Sequence, residues 1–130
     1  MEKTPILHPR YATDWGVRFL CDCKKKDEEI RIRHGIAHEI STDGIHILSD
    51  HAICLQKKVA MQLMIPATAT DAPQKIVKII GQSTESVRKE DKYLTAIKFM
   101  HFEENGRNVL ERNLHQHFAT SFPAQLAQMA

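Results

Sequence analysis

The sequence lacks an apolar run long enough to cross a membrane. A membrane-spanning helix needs about 20 apolar residues, whereas the apolar residues 76–80 form a short run that Lys78 interrupts. Residues 1–5 also lack the apolar segment that opens a secretory signal peptide. We therefore expect no direct membrane insertion.

Cysteine is scarce, and charge of neither sign dominates. The 3 cysteines are an odd number, which does not suit a framework of disulfides, so we expect a reduced, cytoplasmic protein. Lysine and arginine together number 18 and the acidic residues 16, which gives a net charge of +2. The sequence has no concentrated basic patch of the kind that nucleic acids attract, and we expect no nucleic-acid partner.

The sequence does contain clear alternation of apolar and polar residues. Side chains of a half-buried strand point alternately to opposite faces, and residues 15–23 follow this pattern, with Trp15, Val17 and Phe19 on one face. The charged residues 24–29 are typical of a solvated hairpin loop. Five further segments are predicted as strands: 30–41, 45–48, 59–65, 75–86 and 93–102.

A different period begins after Gly106. Leu110, Leu114 and Phe118 recur every four residues, which predicts an amphipathic helix of about three to four turns. With 130 residues, 42% of them hydrophobic, the chain fits one domain. We predict a mainly β fold, a six-stranded antiparallel barrel with a C-terminal helix. The predicted parts are an arm (1–14), a barrel (15–103), a helix (104–120) and a tail (121–130).

The turn at residues 41–44 joins two of the predicted strands. Glu39 and Ser41 are two residues apart and share one side of a strand, whereas His34 and His38 share the opposite side with isoleucines. This parity predicts that Glu39 and Ser41 face away from the core and that the two histidines are packed. Gly44 is expected to need a positive φ. A carboxylate, a hydroxyl and backbone N–H groups could then converge on a polar ligand.

Metal and enzyme sites receive little support from the sequence. Cys21 and Cys23 form only one close pair, and both share the apolar face of their strand, so we interpret them as packing residues although Cys54 and 8 histidines are also present. Neither a nucleophile beside a base nor a Walker-type loop is evident. We therefore predict no metal site, no catalytic residues and no enzymatic activity.

The segment from Glu39 through Ser41 to Gly44 resembles the second signature of the PilZ family. In that family Asp or Asn, then Ser, then Gly at this spacing help bind the bacterial second messenger cyclic di-GMP. Residues 8–11, which include Arg10, are similar to the end of the N-terminal signature, and residues 93–102 with the following helix resemble its closing elements. The resemblance implies a six-stranded barrel with a helix, and Arg10, Glu39, Ser41 and Gly44 as ligand-binding residues.

Two positions depart from the family pattern. Ile6 stands where the first of two arginines is expected, and Glu39 replaces Asp or Asn. The resemblance implies a regulatory protein that binds cyclic di-GMP, needs no other cofactor, and controls motility, surface attachment or exopolysaccharide output through an unidentified protein partner. The alternative is a degenerate adaptor that binds no nucleotide and acts only through protein contacts, made by the helix and residues 122–130.

Overall fold

The computed structural model describes residues 10–21, 32–67 and 74–118. The elements are β1 (Tyr11–Cys21), β2 (Arg33–Ile40), β3 (Gly44–Ser49), β4 (Lys58–Ile65), β5 (Lys75–Lys89), β6 (Lys92–Phe102) and α1 (Gly106–Phe118). The strands form a closed antiparallel barrel in the order β1-β2-β3-β6-β5-β4, and the helix follows the last strand. This confirms the predicted fold class.

Some element boundaries differ from the sequence-based expectation. The first strand begins at Tyr11, so residues 11–14 belong to the barrel sheet rather than to an extended arm. Strands β5 and β6 run on to a tight turn at Glu90 and Asp91, and Glu90 has a φ of 58°. The predicted loop at 24–29, most of the arm, and the tail at 121–130 lie outside the described residues.

The barrel interior is built from the apolar face of each strand. Trp15, Val17 and Phe19 of β1 are buried, as their alternation predicts. The same holds for β4, in which Val59, Met61, Leu63 and Ile65 all point inward. Burial of a large aliphatic or aromatic side chain stabilises the fold by about 1.5–3 kcal/mol, so these alternating positions supply most of the driving force for barrel closure.

Strand β2 does not follow the predicted parity. Ile32 and Ile36 are 59% and 46% exposed, whereas Ala37 and Ile40 are buried. The register against β3 shifts between Ala37 and Glu39, where β2 carries one extra residue. Such a β-bulge reverses which residues face the core. Among residues 32–40, the predicted inward face of this strand was therefore wrong before the bulge and right only at Ile40.

The histidines of β2 are also placed differently from the prediction. His34 and His38 are both exposed, so neither is packed in the core. Their outward position follows from the same bulge, because His34 shares the outer face with Ile36, and His38 lies at the extra residue of the strand. The prediction of packed histidines at these positions is wrong.

Helix α1 packs along the barrel through its buried side chains Leu110, Asn113 and Leu114. At its last residue Phe118 stacks on Tyr11, with ring centroids 4.6 Å apart. Tyr11 is the first residue of β1 and follows Arg10 directly. The end of the helix is therefore fixed beside the start of the first strand.

Candidate functional site

The turn between β2 and β3 is held by its own polar groups. The backbone N–H of Ser41 donates to the carbonyl oxygen of Gly44 over 2.9 Å, and the N–H of Asp43 donates to Ser41 Oγ over 3.3 Å. The Ser41 hydroxyl in turn donates to the Asp43 carboxylate. Ser41 is only 4% exposed, so the prediction that it faces outward is wrong. Its hydroxyl fastens the turn.

Gly44 is required by a close approach of two strands, not by its backbone conformation. All 5 glycines lie within the described residues and none has a positive φ, so the predicted reason for this glycine is wrong. A Cβ atom at Gly44 would lie 2.9 Å from the carbonyl oxygen of Ile97 on β6. Real Cβ atoms do not approach a backbone oxygen so closely, and only glycine fits without moving a strand.

The four predicted ligand-binding residues lie in one place. A cleft of about 230 Å³, here called the β2–β3 cleft, opens beside the turn. It is lined by residues of β2, β3, β5 and β6 and by the residue before β1. Its polar lining comprises Arg10, Glu39, Ser41, Asp43, His46, Thr84 and Lys98, with Gly44 among the remaining residues.

Arg10 and Glu39 form an ion pair across this cleft. Arg10 Nη1 lies 3.4 Å from Glu39 Oε1, and the two side chains are 67% and 35% exposed. An exposed pair of this kind contributes about 0–1 kcal/mol to stability. A ligand that offers Arg10 a better partner can therefore displace Glu39 at little cost, and the freed carboxylate can accept hydrogen bonds.

Sequence reasoning missed the residues that β6 brings to the cleft. Lys98 is the cross-strand partner of Gly44, and Ala96 is the partner of His46. The pairing of β3 with β6 is long-range and cannot be read from local spacing. The available signal was the alternation of β6, in which Lys98 lies between the buried Ile97 and Phe99 and so must face outward.

The cleft combines positive and negative groups. Arg10 and Lys98 are cations suited to phosphate oxygens, whereas Glu39 and Asp43 are acceptors for N–H groups. A ligand that carries both anionic oxygens and N–H donors satisfies both sets. A simple anion would leave the carboxylates facing negative charge.

The described residues bear on the predictions for cysteine and metal chemistry. Cys54 is disulfide-bonded, so the expectation of reduced cysteines is wrong at this position. Within residues 10–21, 32–67 and 74–118, no three His, Cys, Asp or Glu side chains are grouped as metal ligands. The side chains of Cys21 and Cys23 lie outside the described set. No helix of the described chain has the length and apolar character needed to cross a membrane.

Arg107 of α1 ties the helix to the cleft turn. Its Nη1 donates to the carbonyl oxygen of Thr42 over 3.2 Å, and its guanidinium lies 4.7 Å from the centroid of the Phe102 ring. Because the hydrogen bond and the cation–π contact each contribute modestly at an exposed site, we expect Arg107→Ala to lower the free energy of unfolding by about 1 kcal/mol.

Arg112→Ala is the matched control for this substitution. Arg112 is exposed on the same helix, and it makes no such contact with the described residues. Urea denaturation followed by circular dichroism should give a lower midpoint for Arg107→Ala than for Arg112→Ala. Equal midpoints would show that the link between helix and turn contributes no stability.

Comparison with known proteins supports the fold but not a family assignment by sequence. No protein family matches the sequence, and no curated protein is similar enough to match it. The solved structure of the Bacillus subtilis inhibitor of motility (MotI/DgrA) is similar to this one, with a TM-score of 0.64 and 11% sequence identity over 90% of the chain. The barrel with its C-terminal helix is PilZ-like. The chain spans 53% of that protein's length.

Proposed function

We propose that this chain is a small, non-enzymatic regulatory protein that binds cyclic di-GMP in the β2–β3 cleft. The observation that supports the proposal is convergence. Arg10 resembles part of one family signature and Glu39, Ser41 and Gly44 resemble another, and all four line a single cleft. Arg10 and Glu39 are 29 positions apart in the chain yet in contact. Because Glu39, Ser41 and Gly44 share one short segment, the contact of Arg10 with that segment is what joins the two signatures in space.

The chemistry of cyclic di-GMP suits the mixed charge of the cleft. Its two guanine bases present N–H donors, for which the Glu39 carboxylate is an acceptor, and its two phosphates present anionic oxygens, for which Arg10 is a donor. Ser41 acts indirectly in this proposal, because its hydroxyl shapes the turn through Asp43. Gly44 also acts indirectly, because it lets β3 approach the backbone of β6 at Ile97.

The proposed output is a change in the surface shown to a protein partner. Arg10 is followed by Tyr11, whose ring stacks on Phe118 at the end of α1. Movement of Arg10 from Glu39 to a ligand would therefore act directly on the anchor of the helix. The structural likeness to an inhibitor of motility supports motility as the controlled process. Control of attachment or exopolysaccharide output and a cytoplasmic location remain part of the proposal.

A second candidate function is an adaptor that binds no nucleotide. Two observations favour it. Ile6 supplies no guanidinium where the family pattern has one. Strand β5 also exposes apolar side chains, among them Ile76 and Ile80, and exposed apolar patches often mark protein contacts. The adaptor would use such contacts without a small-molecule signal.

Ile6→Arg separates the two functions. Isothermal titration calorimetry with cyclic di-GMP should show binding by the native protein and about tenfold tighter binding by Ile6→Arg, because a guanidinium adds charged hydrogen bonds to the ligand. Ile6→Met is the control that keeps an aliphatic side chain, and cyclic GMP is the control ligand. If the native protein releases no heat and Ile6→Arg binds, the adaptor is supported and the receptor is wrong.

A further inference from the structure

Lys98 occupies a position in the β2–β3 cleft that neither family signature includes. It lies on β6 between the buried residues Ile97 and Phe99, and its cross-strand partners are Gly44 on β3 and Gln82 on β5. Cross-strand partners share a face of the sheet. Lys98 and Gly44 both line the β2–β3 cleft, and Lys98 contributes to the cleft wall.

Lys98 also differs from Arg10 in its existing contacts. The ion pairs of the described residues join Arg10 to Glu39 and Lys92 to Asp50. Within these ranges Lys98 makes neither an ion pair nor a side-chain hydrogen bond, although it is exposed. It is therefore a cation in the cleft that a ligand can engage without breaking an internal pair.

The charge of the ligand gives this lysine a role. A cyclic dinucleotide carries two phosphodiester anions, whereas Arg10 supplies one cation whose charge Glu39 partly offsets. Ile6 supplies none. We propose that Lys98 binds a phosphate of the dinucleotide and supplies the second positive charge that Ile6 lacks. This inference rests on the proposed function and assigns a residue to the same site.

The chemistry of an ammonium group sets the expected behaviour. Lysine binds phosphate as a point charge on a flexible stem and does not need the fixed geometry of a guanidinium. Lys98 can therefore bind a phosphate from β6, a strand on which the family signatures place no arginine. Because the site is exposed, added salt screens the interaction, with a Debye length of about 10 Å at 0.1 M and about 3 Å at 1 M.

Calorimetry with cyclic di-GMP at low and high salt tests the inference. We expect Lys98→Gln to bind cyclic di-GMP about tenfold more weakly than the native protein at low salt. As the salt concentration rises, the affinity of this variant should fall less than that of the native protein. Lys98→Arg should retain the affinity. Lys58→Gln is the control, because Lys58 is an exposed strand lysine that does not line the cleft. Thermal melts establish that each variant is folded.

A double substitution extends the test to Ile6. If both positions serve the phosphates, Ile6→Arg should restore binding to the Lys98→Gln variant. If the native protein binds and Lys98→Gln binds with the same affinity and the same salt dependence, the role of Lys98 is overturned and the proposed function is left intact. Absence of binding by the native protein would overturn both. These two failures are distinguished within one set of titrations.

Discussion

Replacing Arg10 by alanine is expected to weaken the binding of cyclic di-GMP about a hundredfold. The guanidinium offers several donors in a fixed plane, and each charged hydrogen bond contributes about 1.5–3 kcal/mol. Two such bonds correspond to a factor of about 100 or more, since every 1.4 kcal/mol is tenfold. Arg10 is 67% exposed and its pair with Glu39 is weak, so the loss should appear in binding and not in folding.

Titration calorimetry measures this effect, and Arg88→Ala provides the matched control. Arg88 is also exposed, but its Nε donates to the carbonyl oxygen of Glu90 at the β5–β6 turn, outside the cleft. Arg10→Lys should keep the charge and lose the planar geometry, which gives an intermediate affinity. If Arg10→Ala binds cyclic di-GMP with the affinity of the native protein, Arg10 does not contact the ligand, and the nucleotide binds elsewhere on the protein.

The architecture could be predicted from the sequence because apolar residues recur clearly every two residues in the strands and every four residues in the helix. Alternation in β1 and β4 predicted which side chains are buried, and the four-residue repeat of Leu110 and Leu114 predicted the helix. These signals are local, since each depends only on neighbours in the chain. The fold class follows from many short strands and one helix, which leave few ways to build a core.

Strand β2 shows where local reasoning fails. Its bulge lies between Ala37 and Glu39, and β1 has a matching irregularity between Ala12 and Trp15 on the neighbouring strand. Each irregularity adds one residue to one strand of a pair. Which residues of β1 and β2 face the core therefore depends on how the strands pair. Alternation read along one strand assumes constant pleating, and it therefore assigned Ile32 and Ile36 to the wrong face.

The candidate site was found in part for the same reason. Glu39, Ser41 and Gly44 lie within one short segment, so their spacing could be recognised from the sequence. Lys98 reaches the cleft only through the pairing of β3 with β6. The actual constraint on Gly44 is equally non-local, because the atom that excludes a side chain belongs to Ile97. The local sequence was enough to locate the turn, whereas the need for glycine at position 44 depends on the neighbouring strand β6.

Gly44→Ala is expected to destabilise the fold by about 1–3 kcal/mol, the range for overpacking at a tight contact. The added Cβ would lie 2.9 Å from the carbonyl oxygen of Ile97, and a backbone oxygen can move only if β3 and β6 separate. That separation would also displace Lys98 in the cleft wall, so we expect weaker binding of cyclic di-GMP together with a lower melting temperature.

Gly16→Ala distinguishes this strand clash from the general cost of replacing a strand glycine. A Cβ at Gly16 would lie 2.8 Å from Met64 Cε, which is a similar distance but involves the end of a flexible side chain. Methionine adapts by rotating, so Gly16→Ala should cost less than about 1 kcal/mol. Thermal melts of both variants give the comparison. Equal melting temperatures would mean that β6 shifts to accommodate a side chain at position 44 without further loss of stability. Gly44 would then be required for ligand binding and not for the stability of the barrel.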